Sequence, residues 1–326
     1  MRPCNYQRGK YYLVTRRCTQ RKFLLLAGKL ADALFLYALG NARLRTHMKI
    51  IGYVVLNNHY HLVVYDAFAN IAAFAHHLNM FVARSFNKAF ERAENFWASD
   101  SMSVVELPTR QAVVDKLAYT LANPVKAGLV GRASAWFGLT SWHAMLDGKT
   151  RMTPRPRVFY RKTAPEFSTV PIEIPDGPDA MLGPRAKFIA DVVAAVRVIE
   201  NGCDAERRKN GTKVMQRDAV LKQRRESSPT SRHKMFGLRP RVACRSQWAR
   251  IAALQRNREF EAQHAAAVAR LRAGLVPDFP VGTVAMKHLV LKPDGPPAPP
   301  LLNLFGAPPR GPTKPRPRNV RVQRDT

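Results

Sequence analysis

The spacing of apolar positions changes several times along the first 145 residues, and each change marks an element. Lys10 to Arg16, with Tyr11, Tyr12, Leu13 and Val14, forms a short apolar run that predicts a strand. From Ala27 to Asn41, Leu30, Leu34 and Ala38 recur on one face of a helix. Ile50, Ile51, Tyr53, Val54 and Val55, and then Leu62, Val63, Val64 and Tyr65, are residue types that fit a pleated surface. Asn57-Asn58 between them suits the positive φ of a two-residue type I′ turn, so residues 49 to 65 predict a hairpin. Ile71, Phe74, Leu78, Phe81 and Val82 predict a second helix from about Asn70 to Glu91, and Met102 to Leu107 a further strand. Pro108-Thr109 opens a third helix at Arg110, which Asn123-Pro124 is expected to stop. This order predicts an α+β fold, a ferredoxin-like antiparallel sheet with helices packed on one face.

Beyond Trp142 the pattern loosens. Thr153-Pro154-Arg155-Pro156-Arg157 reads as an extended basic linker. Helical spacing returns in Asp179 to Glu200, Val214 to Glu226 and Ser246 to Ala273. The organisation expected is a domain over 1–145, a linker over 146–178, a basic helical accessory region over 179–290 and a Pro/Arg-rich disordered tail over 291–326.

Charge changes the picture most. Among 326 residues, 53 Lys and Arg stand against 23 Asp and Glu, a formal net charge of +30 that implies a polyanionic partner, with nucleic acid first. The excess runs through both the first domain and the later regions, so both can meet that partner. No apolar run reaches the roughly 18 residues of a membrane span, and Phe23 to Leu39 is broken by Lys29 and Asp32. The start of the chain lacks the apolar core of a signal peptide, which points to the cytoplasm. Cys4, Cys18, Cys203 and Cys244 form no CxxC pair, which argues against a zinc ribbon and a disulfide framework.

Candidate chemistry begins at Asn58-His59-Tyr60-His61-Leu62. On a strand His59 and His61 share one face, which can hold a metal ion; two satisfied core histidines are the plainer alternative. Tyr60 points the other way. In the third helix Tyr119 and Asn123 lie four residues apart on one face. A carboxamide oxygen suits Mg²⁺ or Mn²⁺, and a phenol beside such a cation can attack phosphorus. The plainer readings are a half-buried core tyrosine and a residue that ends a helix before proline.

Taken together, these motifs resemble the single-tyrosine HUH transposases, in particular the REP-associated tyrosine transposases of bacteria. The resemblance rests on Val14-Thr15-Arg16, on the run from Gly52 to Val64 around His59 and His61, and on Tyr119 to Val130. It spans about two fifths of the chain, mostly residues 10 to 131. It implies a ferredoxin-like fold for the domain over 1–145, His59, His61 and Asn123 as ligands of Mg²⁺ or Mn²⁺, and Tyr119 as the nucleophile. The substrate implied is single-stranded DNA beside hairpin-forming palindromes, cut through a 5′-phosphotyrosine, in a nucleoid-associated bacterial enzyme acting as monomer or dimer. Arg16 and Arg17, at the end of the first strand, are candidates for a DNA-binding groove. Asn57 stands where that family usually has proline, Tyr60 where it usually has an aliphatic residue, and Ala98 to Ser101 lack its basic-aromatic pattern. The alternative function is a DNA-binding protein that keeps the fold without turnover.

Overall fold

A computed structural model describes residues 3–99, 102–175, 180–230 and 240–283. The chain runs β1 (Lys10–Arg17), α1 (Lys29–Thr46), β2 (Lys49–Val55), β3 (His59–Asp66), α2 (Ile71–Ala89), β4 (Ser103–Glu106), α3 (Arg110–Leu121) and α4 (Asn123–Lys126). Strands β1 to β4 form one antiparallel sheet in the order β2-β3-β1-β4, the ferredoxin-like arrangement expected from the element order. Asp66 fixes the entry to α2: its buried carboxylate accepts from the backbone N–H groups of Phe68, Asn70 and Ile71. The last two are donors that the start of a helix cannot pair internally.

Both faces of the sheet are covered, whereas helices on one face were expected. Tyr12, Val14, Leu62 and Val64 pack with α1 and α2 through Leu34, Phe35, Phe74 and Leu78. Leu13, Val54 and Val63 face the other way, against Val113 and Leu117 of α3. That second layer is completed by a helix from far along the chain. After α5 (Trp142–Asp147), β5 (Arg151–Pro154) and β6 (Phe167–Val170) comes α6 (Arg185–Asn210), whose Phe188, Val192 and Val196 are fully buried in it. Each such side chain contributes roughly 1.5 to 3 kcal/mol. The physical reason lies in the strands: β2 and β3 are apolar at successive positions, as in sheets buried on two sides.

Three local expectations are also corrected. The turn at Asn57-Asn58 is tight, with Leu56 N–H donating to the carbonyl of His59 at 2.9 Å, yet neither asparagine has positive φ and the turn is not type I′. Tertiary bonds hold it instead, since the carbonyls of Asn57 and Asn58 accept from Leu25 and Cys18 at 2.8 Å each. Pro124 does not end the helical path: α3 stops at Leu121 and α4 restarts at Asn123, with Pro124 in its first turn, where a missing N–H leaves no bond unmade. Asn123 therefore belongs to a new turn rather than to the helix of Tyr119. Within the stretch read as a linker, β5 and β6 form a hairpin packed on α1. Gly40 permits the approach, because a Cβ there would meet the backbone oxygen of Thr169 at 2.8 Å.

The last described elements are α7 (Arg217–Leu221) and α8 (Gln247–Arg272). Before α8, residues 241–243 run along β4, with Glu106 N–H donating to the Arg241 carbonyl at 2.8 Å and Ala243 N–H to that of Glu106 at 3.0 Å. This covers an edge that would otherwise offer unpaired backbone groups. Among the described residues, no helix is long and apolar enough to cross a membrane. The proline-rich tail expected over 291–326 lies outside the described residues.

Candidate active site

Strand register places the histidines. His59 and His61 open β3 opposite Arg17 and Thr15 of β1, on the face that α3 covers. Their rings lie 4.9 Å apart between centroids and nearly perpendicular. Tyr60, between them, is fully buried on the opposite face, where its hydroxyl donates to Asn79 Oδ1 at 2.8 Å. It takes no part in the site.

Hydrogen bonds decide which ring nitrogen carries a proton. Asn58 Nδ2 donates to the carbonyl of Arg21 at 3.1 Å, which turns Oδ1 of the same amide toward His59 Nδ1, 2.6 Å away. An amide oxygen only accepts, so His59 holds its proton on Nδ1 and presents the lone pair of Nε2. His61 Nδ1 lies 2.7 Å from Thr15 Oγ1 and its Nε2 lies 3.1 Å from Asn123 Nδ2. With Nδ1–H donating to Thr15, its Nε2 lone pair also faces the site. The turn supplying the Arg21 carbonyl is strained, with Gln20 and Arg21 at φ of 49° and 60°.

The helical side arrives through α3. Thr109 caps its first turn by accepting from Ala112 N–H at 3.2 Å. Gly52 allows α3 to sit close to β2, since a Cβ there would meet Leu117 Cδ1 at 2.4 Å. Two residues beyond Leu117, the half-buried Tyr119 ring lies 5.5 Å from the His61 ring. Lys126 Nζ stands 4.8 Å and Lys116 Nζ 5.7 Å from the centre of the tyrosine ring. A phenol, two imidazoles, a carboxamide and two ammonium groups thus share one small volume.

Burial pushes His59 down to about 4; hydrogen bonding to Asn123 opposes the shift, and Arg17 and Arg21 nearby add to it. Burial likewise holds His61 well below the usual imidazole range, helped by His59 and Lys116. Both rings are neutral at physiological pH, the state in which imidazole binds a metal. Among the described residues, no three His, Cys, Asp or Glu side chains cluster as a metal site. The donor set is two imidazoles and an amide, and it fits a divalent cation. Donors about 2.1 Å from an octahedral ion stand roughly 3 Å apart, and the Asn123 amide lies 3.1 Å from His61 Nε2. A half-turn of that amide presents its oxygen.

Of the two basic candidates, Arg17 lies beside the site and lines a cleft with Gln20 and Arg21. Arg16, opposite Tyr60, turns to the far face and donates to the Ala98 carbonyl at 3.2 Å. Sequence reasoning gave no part in the site to Thr15, Asn58, Lys116, Lys126 or Arg21. Asn58, Lys126 and Thr15 lie within the quoted motifs, but the relation of Thr15 to His61 becomes visible only once the β1–β3 register is known.

No family model matches the chain, and no curated protein does. Among solved structures, a REP-associated tyrosine transposase bound to a REP hairpin is 19% identical over 44% of this chain and 82% of that one, with a TM-score of 0.38. A candidate transposase from Deinococcus radiodurans is 18% identical over 32% of this chain and 85% of that one, with a TM-score of 0.26.

Proposed function

We propose that the chain is a transposase-like strand transferase that cleaves and rejoins single-stranded DNA beside hairpin-forming palindromes. Tyr119 is its nucleophile, and His59, His61 and Asn123 hold Mg²⁺ or Mn²⁺. One observation carries the reading: a phenol converges with two neutral imidazoles and a carboxamide, beside Lys116 and Lys126. No nucleotide cofactor enters, because the bond to tyrosine keeps the phosphodiester's energy.

A divalent cation held by His59, His61 and Asn123 would polarise the phosphate and offset the charge developing on its oxygens. Tyr119 Oη attacks phosphorus and gives up its proton; the bond from phosphorus to O3′ breaks, and O3′ takes up a proton. The products are a 5′-phosphotyrosine and a free 3′-hydroxyl, and attack by a 3′-hydroxyl reverses the step. Thr15 and Asn58 keep the imidazole lone pairs directed at the site. Lys126 and Lys116 place positive charge where the phosphate must approach the phenol.

Incubation of the full chain with hairpin-bearing single-stranded DNA and Mn²⁺ should give a covalent adduct that migrates with the protein on a denaturing gel. Tyr119→Phe should lower its formation by about 10⁴-fold or more, and chelator should prevent it. DNA binding without any adduct, or an adduct that survives Tyr119→Phe, refutes the reading.

A further inference from the structure

The accessory region reaches the site from two sides. After α6 the chain turns at Gly211 and is fastened beside α4, where Met215 N–H donates to the Gly128 carbonyl at 2.8 Å. It passes the hairpin tip, where Asn57 Nδ2 donates to Gln223 Oε1 at 2.7 Å. It then reaches the segment after β1, where Phe23 N–H donates to the Ser227 carbonyl at 2.9 Å and Glu226 pairs with Lys22 and Arg92. Residues 211–229 thus form a strap from the tyrosine side of the site to the His59 side.

Two clefts lie along it. One, of about 490 Å³, lies between α4 and the end of α6, and Lys126, Arg207, Asn210, Thr212 and Lys213 are among its lining residues. It adjoins the nucleophile through Lys126, the side chain over the Tyr119 ring. The other, of about 330 Å³, is lined by Arg17, Gln20 and Arg21 together with Ser228 and Pro229 of the strap. Both volumes fall within the range of about 300 to 1,000 Å³ found for ligand sites. No aromatic side chain lines either cleft among the described residues, so neither offers a surface for stacking bases. Arg207 is partly committed, to Asp204 and to the Val125 carbonyl, which leaves Lys126 and the exposed Lys213 as the main cations of the first cleft, against the single carboxylate of Glu206.

We propose that the strap is one wall of a track for the sugar-phosphate backbone of single-stranded DNA, with nucleotides on either side of the scissile phosphate seated in the two clefts. This rests on Tyr119 being the nucleophile, since that places the scissile phosphate between them. Contacts to phosphate without stacking make the track indifferent to base sequence and sensitive to salt.

The test uses full-length protein carrying Tyr119→Phe, so that binding is read without cleavage, and fluorescein-labelled oligothymidine and oligocytidine in an anisotropy titration at several salt concentrations. Adding Lys213→Glu should weaken both probes about five- to ten-fold and reduce the salt slope by about 0.7, the contribution of one phosphate contact. Lys213→Arg should bind as the parent does. Unchanged affinity and slope in Lys213→Glu, or a loss confined to one probe, overturns the track. The nucleophile is judged separately by the adduct assay on the protein with Tyr119 intact. A Lys213→Glu defect with no adduct there keeps the strap as a DNA-binding wall and removes its link to cleavage.

Discussion

The two faces of the sheet are filled in different ways. One is packed with Phe35, Tyr37, Phe74, Phe81 and Phe86 from α1 and α2, helices that directly follow the strands they cover. The other carries smaller side chains from α3, gives up part of its area to His59, His61, Thr15 and Asn123, and is finished by α6 from far along the chain. Large aromatic groups close to their partners in sequence supply stability. The second face holds a cluster of buried polar groups, which is costly unless each finds a partner. Its chemistry is supported by a frame built largely by the first.

The largest expected effect breaks the first face. Phe74→Ala removes a fully buried ring and should lower stability by about 3 to 5 kcal/mol in urea unfolding. Mn²⁺ affinity of the protein that remains folded should stay as it was. A comparable loss is expected for Phe188→Ala on the second face, but with weaker DNA binding as well, because α6 leads into the strap. If Phe188→Ala affects neither stability nor DNA binding, the accessory helix is not part of that frame.

Legibility in sequence divides along the same line. The antiparallel sheet, its order of elements and the helices α1 and α2 follow from local patterns, because each element shows its own period within its own segment and the order of elements restricts how the strands can pair. Continuous apolar runs in β2 and β3 also carried the sign of a second covered face, but nothing nearby in sequence names α6 as its cover. The pair of histidines stands out by its spacing within β3, and Tyr119 and Asn123 by a four-residue spacing that bridges the end of α3 and the start of α4. Thr15 does not, since its relation to His61 exists only across strands. Asn57-Asn58 gave the place of the turn but the wrong backbone geometry, because bonds from Leu25 and Cys18 hold it in place of the local preference.

An intermediate effect sharpens the contrast between polar groups on the two faces. Thr15→Val keeps the shape of the side chain but removes the acceptor for His61 Nδ1. Mn²⁺ affinity, followed by the loss of the free-ion electron paramagnetic resonance signal, should fall about 10- to 100-fold. On the aromatic face, Asn79→Leu removes the partner of the Tyr60 hydroxyl. That change should lower stability by about 1 to 3 kcal/mol and leave Mn²⁺ affinity alone. Equal Mn²⁺ affinities in the two variants would show that packing alone aims the His61 ring.

The smallest effect concerns pH, and the two faces should respond with opposite sign. At pH near 6.5 an ordinary imidazole is half protonated, so a site of ordinary histidines would lose about half its ligands to protons. His59 is pushed down to about 4 by burial and His61 lies well below its usual value, so Mn²⁺ affinity should change less than two-fold between neutral pH and 6.5. Between about 4 and 6.5 the unfolded state then binds more protons than the folded one, and these two groups make stability fall as acid is added. Asp32 of α1 acts in reverse: burial raises its carboxyl from 3.8 to about 6, so the stability it contributes below 3.8 is lost as pH rises through about 6. Asp32→Asn should therefore stabilise the protein at neutral pH and remove that part of the pH dependence, while His59→Asn should remove part of the acid-side loss. A Mn²⁺ affinity that halves near pH 6.5 would mean that the imidazoles meet water as freely as unburied ones, and the polar face would lose the dry setting on which its chemistry depends.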